Sequence, residues 1–482
     1  MFAPLRHLQE HSATHPDRTA LVGADGRWSF AELDRAVTAV AGRLRELGIG
    51  PRMLVATDLA PADDWIVTLA LLRIATRSVS LTGVVAPTAL ALDAVIARPG
   101  RATGLADLVI AVDRLWIEQA VADAGEAGWP DVATVLYPRR DAICRVIMTS
   151  GTTGTPRGVE LSVAAVEHRL ETLHRYWTDD RPELNLMSLS TTGGLHTALA
   201  SLQHGTPYLA VDIADERLVR RAADARVEVL AGSPVQVGSL VQLMRENGLT
   251  LPSLREVRTA GAAATPALLA QIAEVLAVPV RGVYGSTEGG GIATRMLHGG
   301  GDPADVGQPL PGIQLQIVDE EGTPVSDGVS GRVRYRGPGL ASGYTGGDPE
   351  GSFRDGWFSP GDRGSLSAEG ALVIDGREGE IVNVGGVKLD PATVDAAVEG
   401  FPGVVDAATF VIEKRPGVPE LGLAVVASAE CDLQALDQLL RQRLPGKHPT
   451  VFGQVSVIPR NRMGKVERGR LTQEFRRRLS LD

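Results

Sequence analysis

The chain has 482 residues, 44% of them hydrophobic and 22% charged, with a formal net charge of −10. At about 100–200 residues per domain this gives roughly two to four folding units, with enough core to need no disulfide or structural metal. The acidic balance argues against a broad nucleic-acid surface, which gathers basic residues on one face, but leaves room for a local anion site.

The N-terminal stretch MFAPLRHLQEHSATHPDRTALV has no basic segment followed by an apolar core, so it does not read as a secretory signal. No run of about 20 apolar residues appears. Residues 65–79 come nearest, but Arg73 and Arg77 interrupt them. No membrane insertion is expected. The two cysteines, Cys144 and Cys431, lie far apart without metal-ligand spacing, and Cys144 sits in an apolar run, so it is expected to be a buried packing thiol. A reducing cytoplasm fits both.

Residues 30–47 carry apolar positions at helical spacing and stop at Gly48, a C-terminal cap signal. Strand-like runs follow at 143–148, 208–211 and 227–230. This alternation predicts parallel sheets covered by helices. From about Gly307 the texture changes: 312–319, 331–337 and 370–375 read as short strands between Gly, Pro and Asp turns, a small antiparallel region. Beyond Arg377, residues 381–384 and 387–389 read as strands around Gly385-Gly386, and Asp390-Pro391 opens a helix. A domain boundary is expected at residues 376–380.

The strongest local signal is Thr149-Ser150-Gly151-Thr152-Thr153-Gly154-Thr155-Pro156-Arg157-Gly158, where an apolar strand enters a loop of glycines and hydroxyl residues. Glycine lets main-chain N–H groups approach phosphate oxygens, hydroxyls add donors, and Arg157 adds charge. It is not a Walker A loop, whose spacing is absent. The string resembles the T-S-G-[ST]-T-G-x-P-K-G signature of the adenylate-forming enzymes, which include acyl- and aryl-CoA ligases, peptide-synthetase adenylation domains and luciferases. Arg157 stands where lysine is usual.

The resemblance continues in chain order. Tyr284-Gly285-Ser286-Thr287-Glu288 resembles the family's Y-G-x-T-E motif. It implies that Glu288 holds Mg²⁺, that Thr287 meets a phosphate or the substrate carboxylate, and that Gly282, Tyr284 and Gly285 line the adenine and ribose. Trp357-Phe358-Ser359-Pro360-Gly361-Asp362 resembles the motif ending in T-G-D, which gives Asp362 the ribose hydroxyls. Asp375-Gly376-Arg377 resembles the opening of the interdomain hinge, where Arg377 also reaches ribose or phosphate. Gly379 occupies the usual pivot position of Asp or Lys. The loop around Gly385, Gly386 and Lys388 resembles the lining of the thiol tunnel, although Thr393 replaces the usual Glu nearby. The terminal Pro459-to-Arg468 segment resembles P-x-x-x-x-G-K-x-x-R and makes Lys465 the catalytic candidate. Only four lysines occur in the chain, all late, and a compact ammonium fits between a carboxylate and the α-phosphate better than a guanidinium does.

The implied fold is α/β: a large N-terminal domain (1–376) of two helix-covered sheets plus a small distorted β-barrel (about 305–376), a hinge (377–380) and a small mobile α+β domain (381–482). The implied activity is adenylation of an organic acid by Mg·ATP with release of pyrophosphate. Transfer to a thiol follows, with CoA or a carrier protein as acceptor, or a non-thiol nucleophile in their place. A weakly catalytic nucleotide-binding scaffold of the same fold is the reading from another class; ADP as product would mark a kinase. By resemblance the acid's wall is expected at Thr191, Thr192, Gly193, Ser233, Gly261 and Gly285. Gly289-Gly290-Gly291 is read as leaving room for an aryl or medium acyl group. His196 near this wall is expected to be structural.

Overall fold

The computed structural model describes residues 2–81, 90–101, 104–125, 139–149, 157–177, 180–211, 215–298, 302, 304–348, 350–378, 382–384, 387–389, 391–398, 401–415, 418–444, 448–460 and 466–479. Local signals act as expected at several boundaries. The helix Phe30–Glu46 starts from a capping box in which Ser29 and Glu32 satisfy each other's main-chain N–H groups, and Gly48 follows its end at φ +88°.

Strands Leu54–Asp58, Arg77–Ser80, Ala94–Ala97, Leu108–Ala111 and Ile143–Thr149 form a parallel core, extended antiparallel by Arg157–Ser162 and Gly343–Tyr344. A second parallel set contains Glu183–Asn185, Val229–Gly232, Glu256–Ala260 and Val280–Ser286. Its edge turns antiparallel at Gly290–Leu297. Through Asp305–Pro309 it continues into the expected antiparallel region, whose strands include Gly331–Arg336, Asp362–Leu366 and Leu372–Arg377. The β-rich segment is thus hydrogen-bonded to the second sheet.

The helix Pro61–Arg73 is apolar nearly all round because it is buried between elements of the first core. Arg73, which breaks its apolar run, is 2% exposed and pairs with Asp34 at 2.7 Å. Cys144 is a buried thiol whose pKa is pushed up by burial to about 12, as its packing role requires. Among the described residues no helix is long and apolar enough to cross a membrane.

Residues 394–475 bring their own apolar interior. Strands Val404–Arg415, Val418–Ala427 and Val451–Gln454 separate two clusters, one around Phe410 and Phe475 and one around Val394, Leu423 and Leu436.

Candidate active site

Strands Ile143–Thr149 and Arg157–Ser162 pair antiparallel with Thr149 opposite Arg157, so both ends of the glycine–hydroxyl loop are fixed at one edge. The Thr149 hydroxyl donates to the Arg157 carbonyl at 3.3 Å. Ser150, Gly151, Thr152, Thr153 and Gly154 lie outside the described residues. Gly158 owes its missing side chain to packing: a Cβ there would sit 2.8 Å from Val146 and 2.9 Å from the Thr345 hydroxyl. The Arg157 guanidinium pairs with Glu350 at 2.5 Å and lies 5.5 Å over the Tyr344 ring. Its hydrogen bond to Glu350 raises its pKa further, so it stays charged.

Tyr344 links this loop to the Y-G-x-T-E segment, because its hydroxyl donates to Glu288 Oε1 at 2.8 Å. Glu288 sits on the turn between Val280–Ser286 and Gly290–Leu297. The turn is internally tied: the N–H groups of Glu288 and Gly289 both donate to Ser286 Oγ, which is also hydrogen-bonded to the Tyr335 hydroxyl at 2.7 Å. Tyr335 is buried, and burial together with the charges of Glu288 and Asp362 raises its pKa well above the usual phenol value. Its phenol is therefore neutral.

Asp362, 6% exposed, is held from two sides. Tyr284 donates its hydroxyl to Oδ2 at 2.5 Å, and Arg377 donates Nε to Oδ1 at 2.8 Å. Asp362 and Arg377 face each other across adjacent strands, which fixes the pair by register. Burial and the Asp362 charge raise the Tyr284 pKa, so it acts as a donor. Gly282 lies two residues before Tyr284 with its carbonyl accepting from Thr294, and a Cβ there would meet Leu297 at 3.2 Å.

A single carboxylate suits Mg²⁺, which is usually held by one or two carboxylates plus substrate phosphates rather than by a protein cage. Glu288 meets that requirement, and among the described residues no group of three or more His, Cys, Asp or Glu side chains forms a cage.

Around the expected acid wall the structure shows what each residue touches. Gly289-Gly290-Gly291 does not leave room for substrate: a Cβ on Gly289 would meet the Tyr335 ring at 2.5 Å, on Gly290 Arg169 at 3.2 Å, and on Gly291 Leu310 at 3.1 Å. Protein side chains occupy those spaces. Ser233 is 1% exposed and spends its hydroxyl capping the helix Pro234–Glu246. Thr191 likewise caps the helix Thr192–His204, and Gly193 packs against Met187. Thr192 Oγ1 is buried with no partner among the described residues. Gly261, at φ +88°, and Gly285 are exposed. A Cβ on Gly285 would strike the Gly290 carbonyl at 2.1 Å. His196 is buried, and burial holds its pKa well below the usual value, consistent with a structural neutral imidazole.

Sequence reasoning missed Tyr335, the linking role of Tyr344, and Arg169, which binds the turn from beneath. No local pattern marks Arg169: its partners lie more than a hundred positions away. Gly379, Gly385, Gly386 and Lys465 lie outside the described residues. Lys388 stands on the short strand Val387–Leu389 opposite Asn383, and Thr393 on the helix Pro391–Val398.

The profile of the AMP-binding enzymes matches residues 8–345. Naringenin synthase of Pestalotiopsis fici is 27% identical over 96% of this chain, which spans 18% of that protein. Indoleacetate–CoA ligase of Aromatoleum aromaticum is 27% identical, with 98% of each chain covered. The crystal structure of ATP-bound MatB from Rhodopseudomonas palustris superposes with a TM-score of 0.85 at 24% identity, covering 98% of this chain and 99% of that one, a likeness of fold.

Proposed function

Because this chain belongs to the family of AMP-binding enzymes, we propose that it joins AMP to a carboxylic acid, releases pyrophosphate, and passes the acyl group to the thiol of CoA. The observation that carries the reading is the Tyr284–Asp362–Arg377 cluster together with the Glu288 carboxylate, the charges of Asp362 and Glu288 both acting on the neutral Tyr335 phenol, beside the strand ends that hold the glycine–hydroxyl loop. Two carboxylates are needed for different work: one for a metal-bound triphosphate, one for ribose hydroxyls.

In the first half-reaction the acid's carboxylate oxygen attacks the α-phosphorus of ATP, the α–β phosphoanhydride bond breaks, and pyrophosphate leaves. Mg²⁺, when bound at Glu288 with the phosphates, supplies charge neutralisation there. Arg157 and the loop 149–158 hold the departing anion; binding it requires Arg157 to exchange Glu350 for phosphate. Asp362 accepts from the ribose while Tyr284 and Arg377 keep its oxygens oriented. Lys465 steadies the attacking carboxylate. Positioning and electrostatics suffice, with no side-chain nucleophile. In the second half-reaction the thiol attacks the acyl carbonyl and AMP leaves, with residues 381–482 turning about 377–380 to exchange Lys465 for the Gly385–Lys388 segment. The full-length similarity to indoleacetate–CoA ligase supports an aryl or medium acyl acid with CoA as acceptor.

The test is pyrophosphate release from Mg·ATP across aryl, aliphatic, hydroxy and amino acids, with and without CoA. Acid-dependent release that falls about 10²–10³-fold in Lys465→Ala is expected, with acyl-CoA formed when CoA is added. Acyl transfer only to a carrier protein would overturn the CoA assignment. Absence of release with every acid would overturn adenylation.

A further inference from the structure

Arg169 is an ionised side chain in an unusual place. It lies on the helix Val163–Trp177, which follows directly from the strand Arg157–Ser162 of the first sheet, and it is 5% exposed. Its guanidinium reaches across to the second sheet and donates to three main-chain carbonyls: Nε to Gly339 at 2.6 Å, Nη1 to Thr287 at 3.2 Å and Nη2 to Glu288 at 2.5 Å. Burial lowers its pKa to about 10, so it still carries its charge at neutral pH. Two glycines make space for it. A Cβ on Gly339 would come within 3.0 Å of Arg169 Cγ, and one on Gly290 within 3.2 Å of its Cδ. The Glu288 carboxylate and Tyr335 are the charged and phenolic groups that act on it favourably, and buried neutral His196 stands nearby without adding a second cation.

Burying a guanidinium is costly, and a straight apolar side chain would fill the same space. What the guanidinium adds is a rigid planar fork of donors that fixes consecutive carbonyls at once. Those carbonyls belong to the two residues at the tip of the Y-G-x-T-E turn. The opposite face of the turn is held by Ser286 and Tyr335, and the Glu288 side chain by Tyr344.

We propose that Arg169 is a positioning residue for adenylation: by clamping the carbonyls of Thr287, Glu288 and Gly339 it sets the Glu288 carboxylate at the depth where Mg·ATP engages it. The inference rests on the adenylation reading above. It assigns Arg169 no contact with substrate; its effect passes through Glu288.

The experiment follows pyrophosphate release against Mg²⁺ at fixed ATP and saturating acid, and against acid at saturating Mg²⁺, for wild type, Arg169→Lys, Glu288→Gln and the double variant. Lysine keeps the charge but loses the fork. The expected result is a loss of kcat of roughly 10- to 100-fold in Arg169→Lys, a Mg²⁺ requirement raised about tenfold, and a KM for the acid changed less than about threefold. The double variant should be no slower than Glu288→Gln alone, because both changes act through one group. Gly339→Ala, which crowds Arg169 without removing a buried charge, should give a milder form of the same Mg²⁺ shift; it decides the question if Arg169→Lys fails to fold. An active wild type with unchanged Mg²⁺ dependence in a folded Arg169→Lys, or in Gly339→Ala if that variant must decide, would overturn the inference alone. Additive losses in the double variant would do the same. A wild type that releases no pyrophosphate would overturn the adenylation reading and the inference with it.

Discussion

Asp362 shows how one buried carboxylate is oriented. Its two oxygens are each oriented by a donor from a different strand, Tyr284 on one and Arg377 on the other. Tyr284→Phe removes one donor and leaves the ion pair, so the KM for ATP should rise about tenfold or more, equivalent to about 1.5–3 kcal/mol for a hydrogen bond to a charged group. An unchanged KM for ATP in steady-state kinetics would count against Asp362 as the ribose acceptor. Gly289 offers a second test at this scale. Its α-hydrogens face the Tyr335 ring, so Gly289→Ala should overpack the turn and lower stability by roughly 1–3 kcal/mol in denaturant unfolding. If instead the glycine lined the acid pocket, the variant would keep its stability and change its acid preference.

At the level of elements, the parallel strands of the second sheet are tied at one end by a buried ionic group. Glu256 opens its strand and receives Arg258 at 3.0 Å, Arg281 at 2.8 Å and Arg181 at 3.0 Å; Arg258 also reaches Glu183 at 3.0 Å. Burial pushes the Glu256 carboxyl up, but the three guanidinium groups outweigh it and hold the pKa at about 2. A depressed carboxylate pKa contributes stability that is complete above the unfolded value near 4.5 and is lost as pH falls through the folded value. Urea unfolding of the wild type should therefore lose on the order of 3 kcal/mol from this group between about pH 5 and pH 2. Glu256→Gln should be less stable at pH 7 and show a flatter acid limb; parallel acid limbs in the two proteins would refute the assignment. In the first sheet's helices, Asp34→Ala would strand the buried Arg73 guanidinium, and a loss of about 3 kcal/mol is expected from denaturant midpoints.

Across the whole molecule, the apolar clusters divide. Among the described residues, those built from residues 394–475 contain no residue from the clusters that span residues 2–372. A chain segment with its own core is expected to fold alone. Residues 381–482, expressed separately, should unfold cooperatively in calorimetry at a midpoint indifferent to Mg·ATP, whereas the intact protein should be raised by it. A non-cooperative fragment would mean that its core is completed by the larger part, against the proposed domain alternation.

The sequence alone determined the family and the order of its motifs, the alternation that gives parallel sheets, the capped helix at Phe30–Glu46, the buried Cys144 and the short antiparallel strands that lie beyond Gly307. These properties depend on near neighbours: apolar period, capping chemistry, turn residues and strings of adjacent residues. The tertiary structure decided what the motif residues touch. It filled the space at Gly289-Gly290-Gly291 with Tyr335, Arg169 and Leu310, spent the Ser233 and Thr191 hydroxyls on helix caps, and placed Arg169 under Glu288. Those partners stand far apart along the chain, 170 positions in the case of Arg169 and Gly339. Their meeting is fixed by how the two sheets pack, which no local pattern of residues encodes.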